Sequence, residues 1–196
     1  MQVQTPNRPV HTFEHQAMAT QFVLKLVEDD MEQAHWIAGQ CFRRLDDLER
    51  TLSRFVPDSD VSRINRMKAG TTLPLDYETW ELMKLAISLQ QLTHNAFNVG
   101  VAEHMNIFRA AKQGILNAFE MNNALARAQR EKEEARFFLD PVHPKIHCEK
   151  TGMQFDMGGI GKGYALDQLK QLLKELEIEN YSINAGESTV FSKGFK

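Results

Sequence analysis

Cysteine is almost missing from this chain: Cys41 and Cys148 are the only two in 196 residues. They stand far apart and unaccompanied, which excludes a disulfide framework and any zinc-finger spacing and leaves at most one bridge between them. Charge of one sign is also lacking. The 23 Lys and Arg against 26 Asp and Glu give a formal net charge of −3, and the basic residues are interleaved with acids, so the electrostatic footprint of a nucleic-acid binder is absent. No apolar run approaches the roughly 20 residues that cross a bilayer, and no amphipathic stretch is basic enough for a membrane surface. No membrane segment and no nucleic-acid partner are therefore expected. The opening MQVQTPNRPVHTFEHQAM has neither an apolar h-region nor a small-residue cleavage pattern, so the sequence as written reads as cytoplasmic. Internal repeats, low-complexity tracts and linkers are missing too. What is present, 42% hydrophobic residues, is enough for one sizeable core, and one domain over residues 1–196 is expected.

The periodicities alternate between strand and helix. Phe22, Leu24 and Leu26 share one face of a predicted hairpin over His11 to Glu28. Ala34, Ile37, Cys41, Leu45, Leu48 and Leu52 fall three and four apart and predict a helix from Met31 to Leu52. The polar stretch Ser53 to Asn65 is rich in turn formers, and Asp58 to Asp60 are placed to cap a short helical turn carrying Val61 and Ile64. A second helix is predicted over Tyr77 to Leu92, with Trp80, Met83, Ile87 and Gln90 along its inner side. An apolar segment from Phe97 to Phe108 follows a turn at Thr93 to Ala96. Asn117 to Arg136 reads as a solvated helix. RFFLD and KIHCEK read as strands paired across a turn at Pro141 to Pro144. His143 and His147 lie four apart, but Pro144 between them rules out a helix that would aim both at one metal.

The stretch FDMGGIGKGYALDQL, Phe155 to Leu169, places a carboxylate, four glycines and a lysine at one predicted strand-to-helix junction. Gln154, Phe155 and Met157 read as the strand, Gly158 to Gly163 as the turn, and Tyr164 onward as a helix with Ala165, Leu169, Leu172, Leu173 and Leu176 at helical spacing. Glycine lets a backbone approach a ligand closely or take positive φ, and helix-start N–H groups favour anions. Lys162 adds a positive charge there. Asp156 is suited to orienting a ring nitrogen, a ribose or a hydrated metal; in isolation it reads equally well as a turn cap. Asn180 to Gly186, NYSINAG, reads as a further strand ending in glycine.

Four segments in order, HQAMATQFVLKL, LSRFVPDSDVSRIN, LTHNAFNVGVAEHM and FDMGGIGKGYALDQL followed by YSINAGES, resemble the FAD:protein FMN transferase family, formerly called thiamine biosynthesis lipoproteins. The order of several motifs is far more specific than any one of them. The resemblance implies an α+β fold, mixed sheets with packed helices around a flavin-nucleotide cleft. It implies an enzyme that takes FAD as substrate, releases AMP and leaves FMN on a threonine or serine hydroxyl of an acceptor protein, with Mg2+ required. On the matching positions, Met18 would touch the bound nucleotide and Phe55 would stack on a ring. Asn95, Ala96 and Phe97 would contact FAD through main chain and side chain, and Asp156 would bind its adenosine part. Lys162 would make a polar contact to the nucleotide, and the carbonyl of Gly159 would help hold the metal. The residue that takes the acceptor's proton is not identified. A backbone carbonyl, one or two carboxylates and substrate phosphates would make a plausible magnesium shell.

Three departures qualify the resemblance. Asn98 stands where the family often has aspartate, and Glu187 where it usually has a second glycine. Family members also continue well beyond the position of Lys196, into residues that complete the metal site, and they are often periplasmic or membrane-anchored. Relative to that pattern the chain reads as C-terminally truncated. Two further functions therefore stand beside the transferase: a non-catalytic FAD-binding remnant, and an FAD pyrophosphatase with water as acceptor.

Overall fold

A computed structural model of the chain describes residues 8–186 and 188–194. The architecture is α+β, with two antiparallel sheets and six helices. The described residues divide into two compact units, one within 8–49 and 161–194 and the other formed by Arg50–Ile160.

The first unit is built on a four-stranded sheet. Its strands are β1 (Val10–Ala17), β2 (Thr20–Val27), β6 (Tyr181–Ala185) and β7 (Thr189–Lys193), in the order β1-β2-β6-β7. The predicted alternation sets the register: Phe22, Leu24 and Leu26 stand opposite Ala185, Ile183 and Tyr181, and all six are buried. Directly opposed apolar pairs are the unit of sheet stabilisation, so the central strands are fixed by matching faces. Helix α1 (Met31–Leu52) begins in this unit. It buries the predicted stripe Ala34, Ile37, Cys41, Leu45 and Leu48, and His35 and Phe42 make ring contacts with Phe13 and His15 of β1. Helix α6 (Gly161–Glu175) buries Ala165, Leu166, Leu169 and Leu173. It starts three residues earlier than predicted, and Leu172 and Leu176 are only half-buried.

Both cysteines are free and buried. Burial pushes the Cys41 thiol up to about 12, against a smaller opposing effect of a backbone hydrogen bond. At pH 8 only about one molecule in ten thousand would carry the thiolate, the reactive form. Cys41 is accordingly expected to resist alkylation in the folded chain and to react within minutes in denaturant. Mass spectrometry after iodoacetamide treatment checks this, and rapid labelling of native Cys41 would contradict its packing.

The second unit carries a three-stranded sheet of β3 (Thr71–Pro74), β5 (Lys145–Lys150) and β4 (Arg136–Leu139), with β5 central. His147 lies on β5 and pairs through Nδ1 with the Thr72 hydroxyl at 2.9 Å. Around the sheet run α2 (Asp60–Asn65), α3 (Tyr77–Leu92), α4 (Ala102–Lys112) and α5 (Ala118–Glu134). Helix α5 is the expected solvated helix, started by a capping box between Asn117 and Glu120. Helix α3 has the predicted limits, but its inner face is turned. Thr79, Trp80, Leu82, Met83 and Ala86 are buried, while Ile87 is exposed. The Trp80 indole N–H donates to the Asp140 carbonyl at 2.7 Å, fixing the helix against the end of β4.

The predicted strand at Gln154 to Met157 is not a strand. Its backbone is satisfied without a ladder: the Asn65 side chain accepts from the Phe155 N–H at 2.7 Å and donates to the Phe155 carbonyl at 2.9 Å. The Asp156 N–H donates to the Val99 carbonyl, and the Gln154 carbonyl accepts from Ala102. One amide side chain thus does what a neighbouring strand would do.

Candidate functional site

The loop after α1 is tied down by hydroxyls. Ser59, within the stretch expected to cap α2, is the cap, accepting from the Ser62 N–H at 3.0 Å while its own hydroxyl donates to the Ser53 carbonyl at 2.6 Å. Asp60 is buried beneath, taking the Asp76 N–H and the Arg63 guanidinium. With both ends of the loop anchored, Phe55 stands out from it, 62% exposed. The ring has guanidinium neighbours, Arg54 at 4.3 Å and Arg109 at 5.3 Å from its centroid.

Arg54 connects this ring to the glycine segment. Its Nε donates to Asp156 Oδ2 at 2.6 Å and its Nη1 to Asn106 Oδ1 at 2.9 Å. The other Asp156 oxygen accepts from the Gly158 N–H at 2.8 Å. The carboxylate is therefore held from two sides, with lone pairs left over for a ligand.

None of Gly158, Gly159, Gly161 and Gly163 has positive φ; Gly158 and Gly159 act by size, whereas a Cβ on Gly161 or Gly163 would meet open space. A Cβ on Gly158 would lie 2.9 Å from Asp156 Oδ1, and one on Gly159 would lie 3.2 Å from the Phe97 ring. Gly159→Ala needs only a small retreat of Phe97 and is expected to cost under about 1 kcal/mol. A β-branched Gly159→Val should cost about 1–3 kcal/mol in urea denaturation, because its second methyl has less room. Equal stability of the two variants would show that Phe97 does not bound this turn.

Phe97 is itself placed by the end of α3. Its N–H donates to the Thr93 hydroxyl at 3.0 Å, and the chain turns through His94 and Asn95 at φ 49° and 67°. Asn95 is held by Gln90, whose Nε2 donates to Asn95 Oδ1 at 2.7 Å. Two successive non-glycine residues in the left-handed region are uncommon and concentrate at functional sites. Asn98 accepts from the Gly100 N–H at 2.7 Å, a local bond that an uncharged side-chain carbonyl serves well.

Of the residues singled out in the sequence, Phe55, Asn95, Ala96, Phe97, Asp156 and Gly159 lie in the second unit. Arg54 links Phe55 with Asp156, and the glycine turn meets Phe97. Met18 and Lys162 belong to the first unit. Met18 and Ala19 form the two-residue loop of the β1–β2 hairpin at φ 51° and 56°, a conformation that usually calls for glycine or asparagine. Lys162 Nζ donates to the Ser188 hydroxyl at 3.1 Å. Glu187 lies outside the described residues.

A model of the ApbE family matches residues 18–195. The chain belongs to the ApbE family. Among curated relatives named FAD:protein FMN transferase, that of Buchnera aphidicola is 25% identical over 146 residues, covering 74% of this chain and 43% of the relative. That of Klebsiella pneumoniae is 24% identical over 179 residues, covering 90% and 54%. The chain thus spans about half the length of these relatives. Among solved structures, the flavin transferase ApbE from Vibrio cholerae matches with a TM-score of 0.77 at 21% identity, over 96% of this chain and 61% of that one. The ApbE protein of Thermotoga maritima gives 0.75 at 23%, over 96% and 60%. At these identities the structural likeness establishes the ApbE fold.

Within this ApbE-family chain, sequence reasoning missed Arg54, Asn106 and Arg109. Asn106 and Arg109 lie three apart on one helix face, and Arg54 adjoins the one exposed aromatic of its loop; those were the available signals. The implied magnesium does not fit the described residues alone. Among them no group of three or more His, Cys, Asp or Glu side chains could hold a metal ion, and the Asp156 carboxylate is engaged by Arg54. Among the described residues no helix is long and apolar enough to cross a membrane.

Proposed function

We propose that this chain, as one flavin transferase domain, serves the transfer of FMN from FAD to a threonine or serine hydroxyl of an acceptor protein, with release of AMP. The reading is carried by the match of the ApbE family along residues 18–195, and the names of the curated relatives give the reaction. The site chemistry is compatible. Asp156, an acceptor-only group when ionised, suits the hydroxyl or amino donors of the adenosine half. Phe55 offers an exposed ring edge and face at the same place. Asn95, Ala96 and Phe97 supply main-chain groups on a turn already fixed by Thr93 and Gln90, and Met18 supplies a polarizable contact from a turn of equally defined shape. Lys162 brings one positive charge to a nucleotide that carries a pyrophosphate.

In the reaction proposed, the acceptor oxygen attacks the phosphorus of the FMN half, and the bond to the bridging oxygen breaks, so AMP leaves with that oxygen. Breaking a pyrophosphate demands neutralisation of charge and alignment more than covalent help from the protein. Magnesium dependence is part of the family resemblance, and the carbonyl of Gly159 is the group proposed to help hold the ion. The described side chains do not by themselves form its shell.

The test is incubation of the chain with FAD, a magnesium salt and an acceptor domain bearing a flavinylation site. In-gel flavin fluorescence on the acceptor together with one AMP per label is the expected result. AMP release without label would mean hydrolysis, the pyrophosphatase alternative. FAD binding with neither product would mean a binding remnant.

A further inference from the structure

We propose that Arg54 is a positioning residue for the nucleotide site: it holds the Asp156 carboxylate in the orientation that receives the adenosine half of FAD. The inference rests on the proposed function and names a residue that the sequence did not single out.

Four observations carry it. First, the contact is short and directional, Nε to Oδ2 at 2.6 Å, a charge-assisted bond of the strong kind. Second, the fork is set from behind. Nη1 reaches Asn106 on α4 at 2.9 Å, and the guanidinium sits against the Phe55 ring, so two different elements decide where Nε points. Third, exposure is uneven in the sense a binding site needs. The Arg54 side chain is 8% exposed and that of Asp156 21%, so the cation is the sheltered partner and the carboxylate the accessible one. Fourth, Arg54 Nη2 is buried and has no hydrogen-bond partner among the described residues. A sheltered guanidinium with an unsatisfied donor is a poor device for stability, because the unpaired N–H keeps its desolvation cost. The arginine is explained by what it does to Asp156.

The geometry also specifies arginine over lysine. Reaching Asp156 and Asn106 at once requires two donors in a fixed plane, and an ammonium group supplies a point charge on a flexible stem.

The experiment is calorimetric titration of the full chain with FAD, AMP and FMN separately. The variants are Arg54→Met, Arg54→Lys, Asp156→Asn and the double variant Arg54→Met/Asp156→Asn. Loss of a charge-assisted contact predicts about tenfold or more weaker FAD and AMP binding for Arg54→Met, with FMN binding unchanged. Because Arg54 acts through Asp156, the double variant should bind FAD no more weakly than the weaker single variant, within about twofold. Arg54→Lys should fall between wild type and Arg54→Met. A general structural role would weaken AMP and FMN alike, or give additive losses, and either result overturns the proposal. If Arg54→Met fails to fold, Arg54→Lys and Asn106→Ala carry the same comparison. Wild-type chain that binds none of the three ligands would overturn the transferase reading together with this one, whereas normal FAD binding by Arg54→Met overturns the positioning role alone.

Discussion

Replacing Asn65 by alanine is expected to destabilise the second unit by about 2–4 kcal/mol, one of the two largest effects foreseen for single substitutions. Asn65 makes two hydrogen bonds to one buried residue, taking the Phe155 N–H and giving to the Phe155 carbonyl. Removing it leaves a donor and an acceptor of the main chain unsatisfied, and each such buried group costs about 1–3 kcal/mol where water cannot enter. The loss should reach the site, because Asp156 is the next residue along. Asn65→Ala is therefore predicted to lower the urea midpoint and to weaken FAD binding together, while Asn65→Asp recovers little, having lost the Nδ2 donor. Urea denaturation followed by Trp fluorescence measures the first effect and FAD titration the second. A midpoint within experimental error of wild type would show that residues 154–157 hold their course without this side chain.

The second large effect is expected at Gly186. Its φ is 61°, and a Cβ built on it would lie 1.9 Å from the Thr20 Oγ1 and 3.0 Å from the Thr20 Cβ. Its N–H donates to the Gln21 carbonyl at 3.0 Å, so the backbone cannot simply swing away without losing that bond. Left-handed strain alone costs a non-glycine residue about 1 kcal/mol or more, and forcing the turn off Thr20 adds a packing penalty of about 1–3 kcal/mol. Gly186→Ala should thus destabilise by about 2–4 kcal/mol, and Thr20→Gly in the same chain should recover the packing part only. Thermal unfolding of the single and double variants decides it: no recovery in the double variant would place the whole cost in the backbone.

These two positions also explain what was legible in the sequence. The limits of α1 and α3 and the β1–β2 hairpin were readable because apolar spacing is a local property, visible in any window of a dozen residues. The inner face of α3 was misplaced toward Ile87 because two apolar stripes overlap on that helix, and only tertiary contact selects between them. Strand β3 was invisible, having one half-buried residue in four and a proline at its end. The supposed strand at 154–157 failed because its partner is the side chain of Asn65, 90 residues away in sequence. For the site, the candidate nucleotide contacts came from the motif order; Phe55, Phe97, Gly159 and Asp156 lie in one unit, and Met18 and Lys162 in the other. Arg54 could not, since its acceptors stand 102 and 52 residues away. A reading of local pattern finds the groups that would meet a ligand and overlooks the group that aims them.

The discontinuity of the first unit bears on the order of assembly. Strand β2 is central to its sheet, yet its second neighbour β6 arrives only after the whole of residues 50–160 has been made. The second unit is continuous, and its three strands and four helices are complete before Tyr181 leaves the ribosome. Closing a long loop delays the pairing that depends on it, so the turn that places Phe97 and the Arg54–Asp156 pair are expected to form early in synthesis. Until Ile183 settles opposite Leu24, β2 would wait with one hydrogen-bonding edge unpaired, and the late event in folding is the docking of a strand beside residues translated long before it.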